Sequence, residues 1–382
     1  MGLRFLCGLA SSLLLVFLVS CSSGSSPSGT GFLYVATQGD NTVTPFTIDL
    51  STGRLSTNGK GAVAGSTPSA TLLSASGKAL FVANKGDNSI TSFSINSDGT
   101  LAAGSSAKCS TGVSPVNMAT DSGGKFLFVA YLGSQLDPSQ PSAICVFSID
   151  NTNISQASVA TFAVPSPGPA AVAVTADAKF LYVSNRFDNS VSQYNVDGAG
   201  NLTFFANYPT GTTPSGMTIA TAKNSSFLYI ANTGSNTVSG YVVCLTVSSF
   251  CANADGTLVS TGDPFSVQLG PVAMAATSDG TFLFVVDQQA NQVSQLKIAG
   301  GSGVLSANTP ATISTGLTPS WAVVRKGVTT VTATGGTTDY LYVSNMGAST
   351  VSVFSYDSTK GVLSVDGQSV STGGQPSTVA VE

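Results

Sequence analysis

The side chains that could do chemistry in this sequence are mostly aspartates in predicted turns. Carboxylates at one end of a fold can bind a cation or a polar ligand, helped here by an arginine, and a tryptophan can stack against a sugar. The alternative is that each aspartate hydrogen-bonds the backbone of its own turn and that the tryptophan fills an interior wall. The candidate ligand-binding side chains are Asp40, Asp87, Asp137, Arg186, Asp188, Asp287 and Trp321.

Two residue types that enzymes use often are absent or nearly so. The chain contains no histidine, and its only glutamate is Glu382 at the C-terminus. This removes the commonest general base near neutral pH, histidine metal sites, and Ser-His or Cys-His nucleophiles. We therefore predict no catalytic residue, no metal and no cofactor. The net charge of -4 argues against a nucleic-acid partner, because phosphate binding needs clustered Lys and Arg.

The elements that must position these side chains repeat along the chain. The clearest copy is a strand at 180–184, a turn at 185–189 and a return strand at 190–196. Six of the seven copies follow a proline and a short apolar strand, and most precede a glycine turn and a fourth strand. A period of 47 residues between the first copies suits one four-stranded blade, so we predict an all-β, seven-bladed β-propeller of antiparallel blades. The strands centre on Leu33, Leu80, Leu127, Leu181, Leu228, Leu283 and Leu341.

The two ends of the repeat region complement each other. The first strand, which begins at Phe32, has no apolar strand before it, whereas residues 376–381 form such a strand with no successor. An open ring would leave sheet edges exposed. We therefore predict one domain at 32–382, in which the C-terminal strand joins the N-terminal blade and closes the ring.

The N-terminus indicates export. Arg4 precedes an apolar run that is too short to span a bilayer and ends at Leu18-Val19-Ser20-Cys21, which resembles the lipobox of bacterial lipoproteins. The resemblance implies a signal peptide at 1–20, a lipid on Cys21 and a flexible tether at 21–31, and Ser22 favours an outer-membrane or cell-surface anchor. An ordinary secretory signal is the alternative. Besides the membrane, we expect a protein or glycan partner on one propeller face, and we expect the protein to be a monomer.

The cysteines that remain after export predict two disulfides. Cys109, Cys145, Cys244 and Cys251 would lie in an oxidising compartment. Cys244 and Cys251 border the same insertion between two strands of the repeat, so we predict a disulfide between them. In a propeller the connection that leaves an outer strand crosses near the next blade's hairpin turn, which brings Cys109 near Cys145. Four buried free thiols are the alternative.

The leucine strands also resemble a known repeat. The sequences LFVAN (80–84), LYVSN (181–185), LYIAN (228–232) and LYVSN (341–345) are similar to the YVTN repeat and to lactonase-type propellers related to 6-phosphogluconolactonase. The resemblance implies a propeller from Phe32 onward and hydrolysis of sugar lactones. The histidine and glutamate that such propellers carry near the channel are replaced here. We therefore expect a non-catalytic scaffold that binds a partner, glycan or small ligand; the alternative is a divergent lactone hydrolase that uses an aspartate-activated water.

Overall fold

The computed structural model describes residues 30–134, 137, 141–155, 158, 160–164, 167–222, 225–327 and 337–382. The predicted signal peptide, Cys21 and nearly all of the tether lie outside these residues. The described part consists of strands, turns and loops, and it contains no helix that could cross a membrane.

The strands form seven antiparallel sheets, which are the blades of a propeller. The predicted fold and blade count are confirmed. Blade 1 contains β1 (Thr30–Thr37), β2 (Thr42–Asp49), β3 (Leu55–Thr57), β4 (Ala62–Val63) and the C-terminal β31 (Pro376–Val381). Blade 2 contains β5 (Pro68–Leu73), β6 (Ala79–Asn84), β7 (Ser89–Ile95) and β8 (Leu101–Lys108). Blade 3 contains β9 (Pro115–Thr120), β10 (Phe126–Tyr131), β11 (Ala143–Asp150), β12 (Asn153–Ile154) and β13 (Ala160–Ala163).

The other four blades follow the same order. Blade 4 contains β14 (Pro169–Val174), β15 (Phe180–Asn185), β16 (Ser190–Val196) and β17 (Leu202–Pro209). Blade 5 contains β18 (Pro214–Ala222), β19 (Ser225–Asn232), β20 (Thr237–Val243), β21 (Leu258–Ser260) and β22 (Phe265–Ser266). Blade 6 contains β23 (Pro271–Ala276), β24 (Phe282–Asp287), β25 (Gln292–Ile298) and β26 (Leu305–Ser314). Blade 7 contains β27 (Pro319–Arg325), β28 (Thr338–Asn345), β29 (Thr350–Asp357) and β30 (Leu363–Ser371).

Each blade has an inner strand that begins with proline, then the leucine strand, the return strand and the outer strand. Proline suits the first position of the inner strand, because no ladder hydrogen bond is lost there. The leucine and return strands are joined by a tight turn, such as residues 186–189 in blade 4. We call the end of the disc that carries these turns the hairpin face.

The core is divided among the seven interfaces between blades. In each blade the repeat leucine packs toward the preceding blade, and the aromatic residue that follows it packs toward the next one. Leu181 lies in the cluster shared with blade 3, and Tyr182 lies in the cluster shared with blade 5. Both side chains are fully buried, and burying one such side chain stabilises the fold by roughly 1.5 to 3 kcal/mol. Burial on both faces explains why these strands are apolar at almost every position.

A glycine in the turn before the outer strand lets neighbouring blades approach. Gly99 has a φ of 78°, and a Cβ there would lie 2.1 Å from the ring of Phe32 in blade 1. Blade 3 has Asn151 at this place, and the aromatic residue it would meet is replaced by Ala79. The aromatic ring and the glycine therefore occur together. The other pairs are Gly53 with Tyr340, Gly200 with Phe126, Gly256 with Phe180, Gly303 with Phe227 and Gly361 with Phe282.

Polar side chains in the hairpin turns link each blade to the next. Asn189, in the turn of blade 4, has a φ of 58°, and its side-chain oxygen accepts a hydrogen bond of 2.8 Å from the backbone N–H of Thr213, just before the inner strand of blade 5. Asparagine is one of the few residues that tolerates this backbone conformation. The same link recurs from Asn41 to Thr67, Asn88 to Ser114, Asn236 to Gly270 and Asn291 to Thr318.

The predicted ring closure and both predicted disulfides are present. β31 pairs with β1 from Leu33 opposite Val381 to Thr37 opposite Pro376. Cys109 is bonded to Cys145, and Cys244 to Cys251. The first disulfide joins blade 2 to blade 3, whereas the second closes a short loop within blade 5.

Candidate functional site

A cavity of about 360 Å³ opens at the hairpin face of the central channel. We call it the Arg186 chamber. Its walls come from the first half of several inner strands and from the residue that follows the leucine strand in blades 3 to 6. The described lining residues are Val116, Asn117, Leu132, Ala170, Arg186, Ser215, Gly216, Thr233, Val272, Gln288, Gln289 and Trp321.

Arg186 supplies the only charge among these lining residues. The side chain is exposed, and its backbone N–H donates to the carbonyl of Gly168 at 2.7 Å, which fixes where the side chain starts. No ion pair to Arg186 occurs among the described residues. Asp188, in the same turn, instead accepts a hydrogen bond of 2.8 Å from the Ser190 hydroxyl. The guanidinium is therefore available to an anion or a polarised carbonyl group.

Neutral polar groups surround this charge. The Thr233 hydroxyl donates to the carbonyl of Pro271 at 2.7 Å, and the side-chain oxygen of Asn117 accepts from the backbone N–H of Val172 at 3.1 Å. These bonds hold two walls of the chamber in place. The side chains of Gln288 and Gln289 make no hydrogen bond with any described residue, so their amides can serve a ligand's hydroxyl groups.

Three of the predicted aspartates serve their own turns. Asp40 accepts hydrogen bonds from the hydroxyls of Thr37 and Thr42. Asp87 accepts from the backbone N–H and the hydroxyl of Ser89, at 3.2 and 2.7 Å, and Asp188 accepts from Ser190 as described. Asp137 lies in the long third hairpin loop and is half-buried. None of these four lines the Arg186 chamber, so the structure brings together only Arg186 and Trp321 from the candidate set.

Asp287 differs from the expectation that it lies in an exposed hairpin turn. It is the last residue of β24 and is fully buried, at the place where blades 4 and 5 have Asn185 and Asn232. Its carboxylate accepts a hydrogen bond of 2.7 Å from the Ser294 hydroxyl on the return strand, and its other oxygen has no partner among the described residues. Burial raises the pKa of Asp287 to about 7, although the bond from Ser294 lowers it in part.

The sequence contained a signal for the chamber residues that were not singled out. Thr233 and Gln288 occupy the same place in the repeat as Arg186, directly after the last residue of the leucine strand. Once one such residue faces the channel, its counterparts in neighbouring blades must do so as well, since the blades are related by rotation about the channel. No group of three or more potential metal-ligating side chains occurs in the described part of the chain.

Comparisons with known proteins point to one family. Residues 60–168 and 142–244 match the family model described as Lactonase, 7-bladed beta-propeller. A putative 6-phosphogluconolactonase from Bacteroides fragilis is 17% identical, with a TM-score of 0.74 over 94% of this chain and 99% of its own. The periplasmic gluconolactonase of Pseudomonas aeruginosa is 19% identical, with a TM-score of 0.73 over 92% of this chain and 99% of its own.

A putative 6-phosphogluconolactonase from Bacteroides uniformis is 14% identical, with a TM-score of 0.74 over 92% of this chain and 99% of its own. No curated protein matches the sequence. The likeness to these structures extends over nearly the whole chain, and the family model matches within it. In fold, this chain is a seven-bladed β-propeller, and it is similar to the lactonase propellers that the family model describes.

Proposed function

We propose that the Arg186 chamber binds a sugar lactone, or the sugar acid that its hydrolysis releases, and that the protein acts on a lactone. The observation that carries the proposal is an exposed guanidinium without an ion-pair partner among the described residues, inside a polar chamber of about 360 Å³. This volume lies within the range of small-molecule sites. The match to a lactonase family model supports this alternative over the non-catalytic scaffold that the missing histidine and glutamate predicted.

In this proposal each wall of the chamber has a role. Arg186 would bind the lactone carbonyl oxygen and stabilise the negative charge that develops there when water attacks. The same guanidinium would hold the carboxylate of the product by two parallel hydrogen bonds. The amides of Gln288 and Gln289 would bind hydroxyl groups, and the ring of Trp321 would cover an apolar face of the sugar.

The chamber offers no obvious base. None of its described lining residues is an acid or a histidine. Asp287, a buried carboxyl directly before the lining residue Gln288, accepts a hydrogen bond from Ser294 on the return strand. Without a base, the attacking species is hydroxide or unassisted water, and the catalysed rate would rise with pH instead of reaching a plateau. The same observation favours a second candidate function, which is recognition of a sugar acid or glycan without turnover.

The test uses the purified protein with glucono-lactone and 6-phosphogluconolactone, each measured against its spontaneous hydrolysis. We expect turnover above the spontaneous rate, lost in Arg186→Gln and partly kept in Arg186→Lys, which retains the charge but not the two-pronged geometry. Asp188→Asn is the matched control, because Asp188 lies in the same turn but outside the chamber. Gluconate binding without turnover would favour pure recognition. Neither binding nor turnover, in a folded protein, would reject the chamber as a lactone site.

The location of the protein is part of the proposal. The two disulfides are typical of an oxidising compartment, which supports export. We propose that a lipid on Cys21 anchors the domain to the cell envelope, at the outer membrane or the cell surface. Metabolic labelling with a clickable fatty acid should tag the wild-type protein and leave Cys21→Ala untagged.

A further inference from the structure

The central channel contains a second cavity with different chemistry. It has a volume of about 370 Å³ and is formed by the second half of the inner strands, away from the hairpin face. We call it the apolar chamber. Nine aliphatic residues from four blades line it, among them Leu72, Leu73, Ala276, Val323, Val324 and Val381.

Polar groups contribute little to this cavity. Apart from Trp321, the one polar side chain among its described lining residues is Thr71. That hydroxyl is already hydrogen-bonded to the hydroxyl of Thr378, at 3.0 Å, and both residues are buried. Water in the apolar chamber therefore gains few hydrogen bonds from the wall, and an aliphatic group can displace it favourably.

Trp321 lines both chambers, and no other described residue does. It is the second residue after the proline of its inner strand. The equivalent residues of the other six blades are small: Ala70, Asn117, Ala171, Gly216, Ala273 and Thr378. Its ring also contacts the hydrophobic clusters on both sides of blade 7, which hold it in place. One blade of seven thus has a large ring at a position where the other six have a smaller residue.

We propose that Trp321 determines the specificity of the Arg186 chamber by closing its inner end. The proposal rests on the function proposed above and adds a limit to the substrate class. With Trp321 in place, the chamber accepts a compact, hydroxylated lactone or sugar acid. Without it, the two cavities join, and a lactone that carries an aliphatic chain can place its ring near Arg186 and its chain against Val323 and Leu72.

The experiment measures binding by calorimetry, so it does not depend on turnover. The probes are gluconate and δ-decalactone, which carries a pentyl chain on its lactone ring. For the wild type we expect binding of gluconate and weak binding of δ-decalactone. For Trp321→Ala we expect the Kd of δ-decalactone to fall more than tenfold. Alanine fits at this place, as Ala70, Ala171 and Ala273 show, and Trp321→Thr copies Thr378 as a second variant.

Two further variants locate the bound chain. In the Trp321→Ala background, Val323→Asp places a charge in the apolar chamber and should abolish the gain, whereas Val63→Asp, the same substitution at an exposed position outside both chambers, should leave it. Melting curves confirm that each variant is folded.

The two proposals fail separately. If the wild type binds gluconate but the affinity for δ-decalactone is the same in wild type and both Trp321 variants, the role of Trp321 is wrong and the lactone site stands. If gluconate does not bind while the Trp321 variants gain affinity for δ-decalactone, the proposed function is wrong, but the separation of the two chambers by Trp321 stands. A gain that survives Val323→Asp would also overturn the proposal, because the chain would then lie elsewhere.

Discussion

Replacing Asp287 by asparagine should stabilise this protein and change how its stability depends on pH. Four other blades have asparagine at this place, and each donates its side-chain amide to a Ser or Thr on the return strand. In blade 4, Asn185 donates to Ser190 at 3.0 Å and to Ser192 at 2.8 Å. Asp287→Asn can make the corresponding bond to Ser294 without burying an ionisable group.

The magnitude follows from the pKa of the carboxyl. Burial raises the pKa of Asp287 from 3.8 to about 7 in the folded protein. Between these two values the folded state keeps a proton that the unfolded state has released, so the contribution of Asp287 to the free energy of unfolding falls as the pH rises from about 4 to about 7 and is constant above that. A shift of roughly three pKa units corresponds to a loss of about 4 kcal/mol.

The assay is urea denaturation of wild type and variant from pH 4 to pH 8. We expect similar stabilities near pH 4 and an advantage for Asp287→Asn that grows to about 4 kcal/mol at pH 8. Groups that titrate alike in both proteins cancel in this difference. Asn185→Asp is the matched control, because it puts the same buried carboxyl into blade 4 and should steepen the loss of stability with pH. Parallel stability curves for wild type and Asp287→Asn would refute the reasoning.

Three further predictions concern the joints of the ring. Deleting residues 376–382 removes β31, including the buried Val379, whose burial is worth roughly 1.5 to 3 kcal/mol, and leaves an edge of β1 unpaired. Calorimetry should therefore show a much lower melting temperature or aggregation. An unchanged melting curve would contradict closure of the ring by β31. Removing the Cys109–Cys145 disulfide by double alanine substitution should lower the free energy of unfolding by about 4 kcal/mol, because it closes the longer loop, and removing Cys244–Cys251 should lower it by about 2.5 kcal/mol. A larger drop in the denaturant midpoint for the Cys244–Cys251 variant would argue against this account. Gly99→Ala should lower the free energy of unfolding by about 2 to 4 kcal/mol, because the new methyl group meets Phe32. Gly77→Ala has a similar φ but open space around it, so it should lower the free energy of unfolding by only about 1 to 2 kcal/mol. Equal losses would mean that backbone conformation alone explains the glycine.

Much of the fold could be predicted from the sequence because a repeat multiplies a weak signal. One apolar strand such as LYVSN is ambiguous alone, but seven copies with flanking prolines and glycines define a blade, its four strands and the closure. The disulfides followed because blade geometry decides which cysteines come close. Interfaces between blades were harder, since the pairing of Gly99 with Phe32 links residues in different copies of the repeat.

The site was less predictable for a physical reason. The aspartates drew attention as charged residues, yet Asp40, Asp87 and Asp188 are used by their own turns. Asp287 was wrongly predicted to lie in a turn, because aspartate is typical of turns. It is instead the last residue of its strand, at the place where other blades have asparagine, and the register of that strand buries it. Gln288 and Gln289 are neutral, and nothing in their residue type marks them as facing a channel. Only the rotation that relates the blades shows that they share a cavity with Arg186.

The closure of the ring by β31 has a consequence for how the protein reaches its native state. β1, the first strand in the described part of the chain, needs β31 as its neighbour, because Leu33 lies opposite Val381. This pairing spans nearly the whole chain, and contacts of such long sequence separation form slowly. Until it forms, β1 presents an open edge to other chains. Folding therefore cannot be completed before the last residues of β31 have been synthesised, and the closed ring around the Arg186 chamber forms only after that point.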